Sequence, residues 1–381
     1  MLEIFSTARI GRVVQGVVDT RIAGPNNRWS GRVPKVPAVS GEILAKLRSR
    51  ALLAPIVADD APAPVQAAAR LVFQSDVIPN IKHGRHFTQE QMRLYRSVSQ
   101  GSAARGDLSL LTSIRDRTIR DLLDGIDIEI NLMCLSMMLD GYSYDKLGFK
   151  FTATWGMPSV LKSNSAADWT DHTNADPVQD IRGLKRAGQA YWGQMFRRLE
   201  MSTPLFLEMV QCAKYQTYAK SFIPQVLVFG NFDPRNTTSM VSLARLTLDV
   251  DEIVLVDDRY AYMNPDGTTT TGTYLPVGKV LLTDPADDGN SDAWDFAQDE
   301  VGESLIGNFG GAVVGGPPTN SRGPVSYATV PPDLNPPQVT LWAVDRGFPR
   351  KHAEWKSAVL TASTTVTDPL PFNDYFLTPN P

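Results

Sequence analysis

Residues 105–141, RGDLSLLTSIRDRTIRDLLDGIDIEINLMCLSMMLDG, run without proline and with one glycine, Gly125, well inside the stretch. As a helix the segment is about 50 Å long at roughly 1.5 Å rise per residue. From Ile119 onward the apolar positions are Leu122, Leu123, Ile126, Ile130, Met133, Cys134, Met137 and Met138, a 3.6-residue spacing. Leu132, Leu135 and Leu139 add apolar character to the other faces. The pattern predicts a rod, helical over 107–140, that begins on a surface and finishes buried. Asp107 is expected to cap its N-terminus and Gly141 to close its C-terminus. A methionine-rich helix end reads as core filling.

The flanking segments are poor candidates for independent folding. Residues 1–60 include the turn-rich AGPNNRWSGRVPKVPAVSGE and read as an arm lying on something else. Residues 62–104 hold Leu71, Phe73, Val77, Ile78, Ile81 and Phe87 around turn signals at Pro79-Asn80 and Gly84, which predicts a long hairpin. Beyond the rod, GFKFTATWG (148–156) reads as a strand and DPVQDIRGLKRAGQAYWGQMF as a helix with Pro177 in its first turn. TPLFLEMVQCAKYQTYAKSF is a second helix, PQVLVFG a buried strand, and 237–246 a further short helix. DEIVLVDDRYAYM reads as one strand, NPDGTTTTG as a hairpin turn and GKVLLTD as the returning strand. Residues 284–337, rich in Gly, Pro, Asp and Asn, predict long loops. The last 44 residues hold β-type segments whose expected partners are the strand at 149–155 and the hairpin near 250–283.

Composition narrows the class. With 43% hydrophobic and 20% charged residues among 381, the chain has an ordinary globular balance. The net charge of −4 hides an asymmetry: residues 1–50 carry nine Arg/Lys against three Asp/Glu, and residues 249–303 carry fourteen Asp/Glu against two basic residues. Cys134 and Cys212 both fall in apolar helical patterns and read as reduced core residues. No run reaches the roughly 18 consecutive apolar residues of a membrane span, and the first residues lack a secretory pattern. The expectation is a soluble protein, with no membrane partner, from a reducing compartment.

Chemistry is hard to find. His83 and His86 sit at i and i+3, which a strand points to opposite faces, so they read as exposed polar residues instead of a metal pair; His172 and His352 stand apart. Nucleophile-elbow, zinc-helix and Walker signatures are lacking, and GNFGGAVVGG (307–316) opens no helix. Asp284, Asp288, Asp292 and Asp295 occupy positions 1, 5, 9 and 12 of a calcium-loop register, with Gly289 at position 6. Ala286 at position 3 and the short acid at position 12 favour a solvated acidic loop. Asp257 and Asp258 follow an apolar strand, but neighbours on a strand face opposite ways. No residue is assigned a catalytic, cofactor-binding or metal-binding role, and no cofactor is expected.

Four phrases, together with the order of segments, carry a resemblance. They are VIPNIKHGRHFT; FTATWGMPSVLKSNSAADWTDHTNADPVQDI; the pair PQVLVFGN and DEIVLVDDRYAYMNPDG…YLPVGKVLLTD; and KHAEWKSAVLTASTTVTDPLPFNDYF. From about residue 65 the chain resembles the lambda-type branch of tailed-bacteriophage major capsid (head) proteins. The resemblance implies an α+β, Hong Kong 97-like capsid fold. It divides into an N-terminal arm (1–60), an extended E-loop (61–103), a P domain (104–160 and 339–381) with spine helix 107–140, and an A domain (161–338). It further implies self-assembly into hexamers and pentamers of an icosahedral head enclosing double-stranded DNA, by way of a procapsid, in the bacterial host cytoplasm. Expected partners are other copies of the chain, a separate scaffolding protein, a portal, in some members a decoration protein, and packaged DNA through non-specific contact. Deleting residues 1–30 is expected to leave a soluble subunit unable to form shells.

Two other readings remain at this point. An encapsulin-like compartment shell shares the fold and differs in its cargo. A metal-dependent hydrolase would use the acidic 249–303 region, and metal-dependent turnover lost on Asp257→Ala would mark it.

Overall fold

The computed structural model describes residues 27–38, 42–46, 71–87, 93, 105–146, 149–222, 237–263, 268–301, 312–315, 321–322, 325–330 and 340–366. The chain divides into two compact units. The first comprises Met1–Ala45, Leu71–Cys134 and Trp294–Arg350; the second comprises Lys46–Arg70, Leu135–Ala293 and Lys351–Pro381. No helix among the described residues is long and apolar enough to cross a membrane.

The rod is real. Helix α1 spans Arg105–Leu139, 35 residues, and starts two residues before the expected Asp107 cap. Its apolar stripe is buried from Ile119 to Met138. The C-terminus is closed by Asp140 instead of Gly141. Asp140 adopts the left-handed conformation (φ 62°), its N–H bonds the Met137 carbonyl at 3.2 Å, and the Gly141 N–H reaches the Ser136 carbonyl at 2.9 Å. This is a Schellman closure with aspartate where glycine usually sits.

In the first unit a six-stranded sheet is built around Thr340–Lys351, a twelve-residue strand with ten buried positions. Asn80–His86 and Val325–Val330 pair antiparallel with it, Trp294–Gln298 lies beside it, Lys35–Pro37 pairs parallel with Trp294–Gln298, and Ala312–Gly315 extends the Val325–Val330 side. The expected hairpin over 62–104 does not form. Leu71–Val77 pairs with Glu42–Lys46, and Asn80–His86 with Thr340–Arg346. Only Ile78 and Pro79 separate the two strands, and neither supplies the positive φ of a tight hairpin turn. The expected long loops at 284–337 carry strands at Trp294–Gln298, Ala312–Gly315 and Val325–Val330.

The second unit is a five-stranded mixed sheet in the order Lys162–Asn164, Ser357–Thr361, Lys279–Thr283, Arg198–Met201, Glu252–Leu255. Helices α2 (Pro177–Trp192), α3 (Thr203–Gln211), α4 (Ala213–Lys220) and α5 (Thr237–Leu248) accompany it. Sequence signals set the ends of α2. The Asp176 side chain accepts the Gln179 N–H at 3.1 Å, Pro177 opens the helix, and Gly193 (φ 68°) closes it.

Several expectations are corrected in this unit. The single helix through Cys212 is two helices, because the Ala213 N–H leaves the helical ladder for the His172 carbonyl at 2.8 Å. The strand expected over 251–263 is split into Glu252–Leu255 and Arg259–Met263, with the Val256 N–H on the Met201 carbonyl between them. The strand returning to Arg259–Met263 is Thr269–Thr273, whereas Lys279–Thr283 enters the main sheet. Phe149–Ala153 pairs with Tyr142–Lys146 and not with the C-terminal strands. Of those, Ser357–Thr361 does find Lys279–Thr283. The apolar run PQVLVFG lies outside the described residues.

Candidate functional site

Among the described residues the special features lie where segments attach to α1. Asn131 is fully buried amid the apolar stripe. Its side-chain oxygen accepts the backbone N–H of Trp29 at 2.8 Å and of Ser30 at 3.0 Å. Trp29 is itself fully buried. One helical side chain thus satisfies two consecutive amides of the N-terminal segment, a connection that apolar packing alone cannot specify.

Gly125 explains itself in the same unit. A Cβ placed there would lie 2.5 Å from His83 Nδ1, so the missing side chain is the seat of the His83 ring. One helical turn earlier, Arg85 from the same strand meets Asp121 at 3.2 Å. Burial and the neighbouring Arg85 lower the His83 pKa, and a hydrogen bond with the Leu122 backbone opposes them. Gly84 has the matching role toward Trp342, whose ring occupies the space a Cβ would take. His83 is exposed, as its spacing leads one to expect, while one edge of its ring rests on the helix at Gly125.

The C-terminal end of α1, in the second unit, meets a buried polar cluster. Ser357 Oγ donates to the Met138 carbonyl at 2.6 Å and accepts from Lys351 Nζ at 2.8 Å. Lys351 is 2% exposed, and burial pushes its ammonium pKa down to about 8, with the Asp140 and Glu354 charges holding it from falling further. The Asp140 carboxylate accepts the Trp155 N–H at 2.8 Å and pairs with Lys162. Cationic side chains at this end complement the helix dipole.

The residues singled out for chemistry are committed elsewhere. Asp257 accepts the Thr203 N–H at 2.8 Å and also the Thr203 hydroxyl, so it caps α3. The Asp258 carbonyl accepts from Tyr274. In the calcium-like register, Gly289 does adopt φ 70°, but the carboxylates go to separate tasks. Asp284 caps a short 3-10 turn at Ala286, Asp288 pairs with Arg198 at 2.8 Å, and Asp295 makes a bidentate pair with Arg350 at 2.6 and 2.7 Å. Among the described residues no three His, Cys, Asp or Glu side chains form a group suited to a metal ion. His172 Nε2 lies 2.6 Å from Glu208 Oε2, and His352 is buried with its N–H on the Ala293 carbonyl. Both cysteines are free and buried, and burial pushes their thiols up to about 12 at Cys134 and about 11 at Cys212. Neither thiol is a nucleophile near neutral pH. Asn131, Asp140 and Lys351 were missed by sequence reasoning; a lone amide inside the apolar stripe was the available signal for the first.

Comparisons with known proteins converge. A family model described as "Phage major capsid protein E" matches residues 43–297. A phage-related protein of Bordetella bronchiseptica shares the fold at 12% identity, over 94% of this chain and 98% of its own, with a TM-score of 0.51. A protein described as the putative capsid protein of an Escherichia coli prophage matches at 11% identity, over 93% and 99%, with a TM-score of 0.52. No curated protein sequence matches the chain.

Proposed function

The chain belongs to the phage major capsid protein E family, and we propose that it builds an icosahedral phage head, from hexamers and pentamers, around double-stranded DNA. The family match over 43–297 carries this reading. The role is structural, and its mechanism is assembly. Residues 1–60 serve as the arm, 61–103 as the extended loop, 104–160 and 339–381 as a P domain with the spine at 107–140, and 161–338 as an A domain of a Hong Kong 97-like subunit. The 35-residue α1 supports the spine assignment. A stiff strut preserves subunit shape while the same interfaces repeat around a shell.

Arm and loop lose apolar exposure on neighbouring copies, and the basic residues of 1–50 make weak, sequence-independent contact with phosphate or with acidic surfaces. A scaffolding protein, a portal and a decoration protein are the further partners of this reading, with assembly in the bacterial cytoplasm and the virion as destination. The test is negative-stain electron microscopy of the full chain beside size-exclusion chromatography. Closed shells, tubes or ring-shaped capsomers are expected. A monodisperse monomer across salt and crowding conditions contradicts the reading.

A further inference from the structure

Helix α5 ends beside an open cleft of about 460 Å³ lined by Ser242, Arg245, Leu246, Asp249, Val250 and Asp251. The cleft carries charges of both signs. Arg245 is exposed, and its guanidinium has no ion-pair or hydrogen-bond partner among the described residues. The Asp249 and Asp251 side chains are 92% and 67% exposed, and their contacts to Lys185 at 3.2 Å and Arg197 at 3.6 Å are loose surface pairs. Such pairs contribute little to a fold and leave the carboxylates open to a better partner. Between the charges, Leu246 exposes 44% of its surface.

The backbone under this surface is firmly held. Asp249 takes the left-handed conformation (φ 54°), and the Val250 N–H reaches the Arg245 carbonyl at 3.1 Å, a second aspartate-closed helix end like that of α1. Arg182 donates to the Thr247 carbonyl at 3.1 Å, and Lys185 donates to the Leu248 carbonyl at 3.3 Å. Leu243 and Val250 are buried beneath. A rigid surface with an unpaired guanidinium and weakly paired carboxylates around an apolar centre loses little entropy on binding. It suits a partner with the same two charges reversed in place.

We propose that this end of α5 is a contact between neighbouring copies of the chain, with Arg245 of one copy set against Asp249 and Asp251 of the next and Leu246 closing the cleft. Because both charges line one cleft, the contact is two-fold: each of the two copies supplies one guanidinium and receives one. The inference rests on the self-assembly reading and specifies one of its surfaces.

The experiment compares the full-length chain with R245E, D251K and the combined R245E/D251K, using sedimentation and electron microscopy. R245E sets a carboxylate against Asp249 and Asp251 at every such contact, and assembled particles are expected to fall by more than about tenfold; D251K sets an ammonium against Arg245 but keeps Asp249, and a smaller fall is expected. The combined variant exchanges the signs at positions 245 and 251 and keeps Asp249, and it is expected to recover part of the yield lost by R245E. Both substituted positions are exposed, so thermal unfolding of the unassembled subunit should match the parent. Parent-level assembly by R245E, or a combined variant as defective as R245E, overturns the proposal. Failure of the parent chain itself to assemble counts against the self-assembly reading, which separates the two.

Discussion

The two units hold their shapes by different means. In the second, helix ends are closed by residues a few positions away: Asp176 and Gly193 bracket α2, and Ser202 accepts from Leu205 at the start of α3. In the first, the sheet joins strands from opposite ends of the chain. Lys35–Pro37 lies on Phe296–Gln298 and Asn80–His86 on Thr340–Arg346, while single polar or missing side chains on α1 hold Trp29 and His83. Local caps set the helix ends of the second unit early, although its sheet also joins distant strands, Lys162–Asn164 with Val359–Thr361. Long-range closure gives a region whose segments are separate pieces, each attached by few contacts that a single substitution reaches.

The largest effect is expected at the buried Arg350–Asp295 pair of the first unit, whose side chains are 9% and 6% exposed. Asp295→Ala leaves an uncompensated guanidinium, and destabilisation of about 3–5 kcal/mol is expected by chemical denaturation of the unassembled subunit. A loss under 1 kcal/mol, similar to a surface pair, would erase the contrast between the units.

Lys351 in the second unit comes next. Its folded pKa of about 8 lies below the ordinary lysine value of 10.5, so the unfolded chain binds more protons between those values. Stability attributable to this residue therefore rises with pH through that window, and below it the buried ammonium is a burden. Denaturation midpoints measured from pH 7 to 11 should show this rise in the parent chain and lose it in Lys351→Met. Identical pH profiles would place the amine in water.

Asn131→Leu removes the acceptor for two buried amides, at a cost of about 1–3 kcal/mol for each donor left unpaired. Hydrogen exchange should accelerate at Trp29 and Ser30 with little change in the second unit. Uniform acceleration would mean that the attachment is part of the general core.

Smallest is Gly125→Ala. Alanine favours a helix over glycine by about 1 kcal/mol, yet its Cβ would intrude on the His83 ring. The single variant should be no more stable than the parent. Adding His83→Ala should release the helix gain, so that the two changes are not additive. Simple additivity would show that His83 does not seat on Gly125.

This difference also governs what could be read from the sequence. The rod, α2 and α5 were legible because periodicity and caps lie within one short window. The pairing of Asn80–His86 was not, because its partner lies near the other end of the chain and its own pattern resembles half a hairpin. The break at Cys212 depends on the His172 carbonyl, and the closure of α1 depends on an aspartate doing a glycine's work. The role of Asp257 was not legible because the α3 terminus it caps is remote in sequence. The acidic stretch, expected as a solvated loop, spends Asp288 and Asp295 on Arg198 and Arg350, which are equally remote in sequence.

The most direct measurement sets the full chain beside a version lacking residues 1–26, under the electron microscope. Stopping before residue 27 keeps Trp29 and Ser30 on Asn131, so the attachment within the subunit stays intact. The account predicts closed shells from the full chain and soluble subunits with unaltered thermal unfolding from the truncated one. Normal shells from the truncated chain, or none from either, would contradict it.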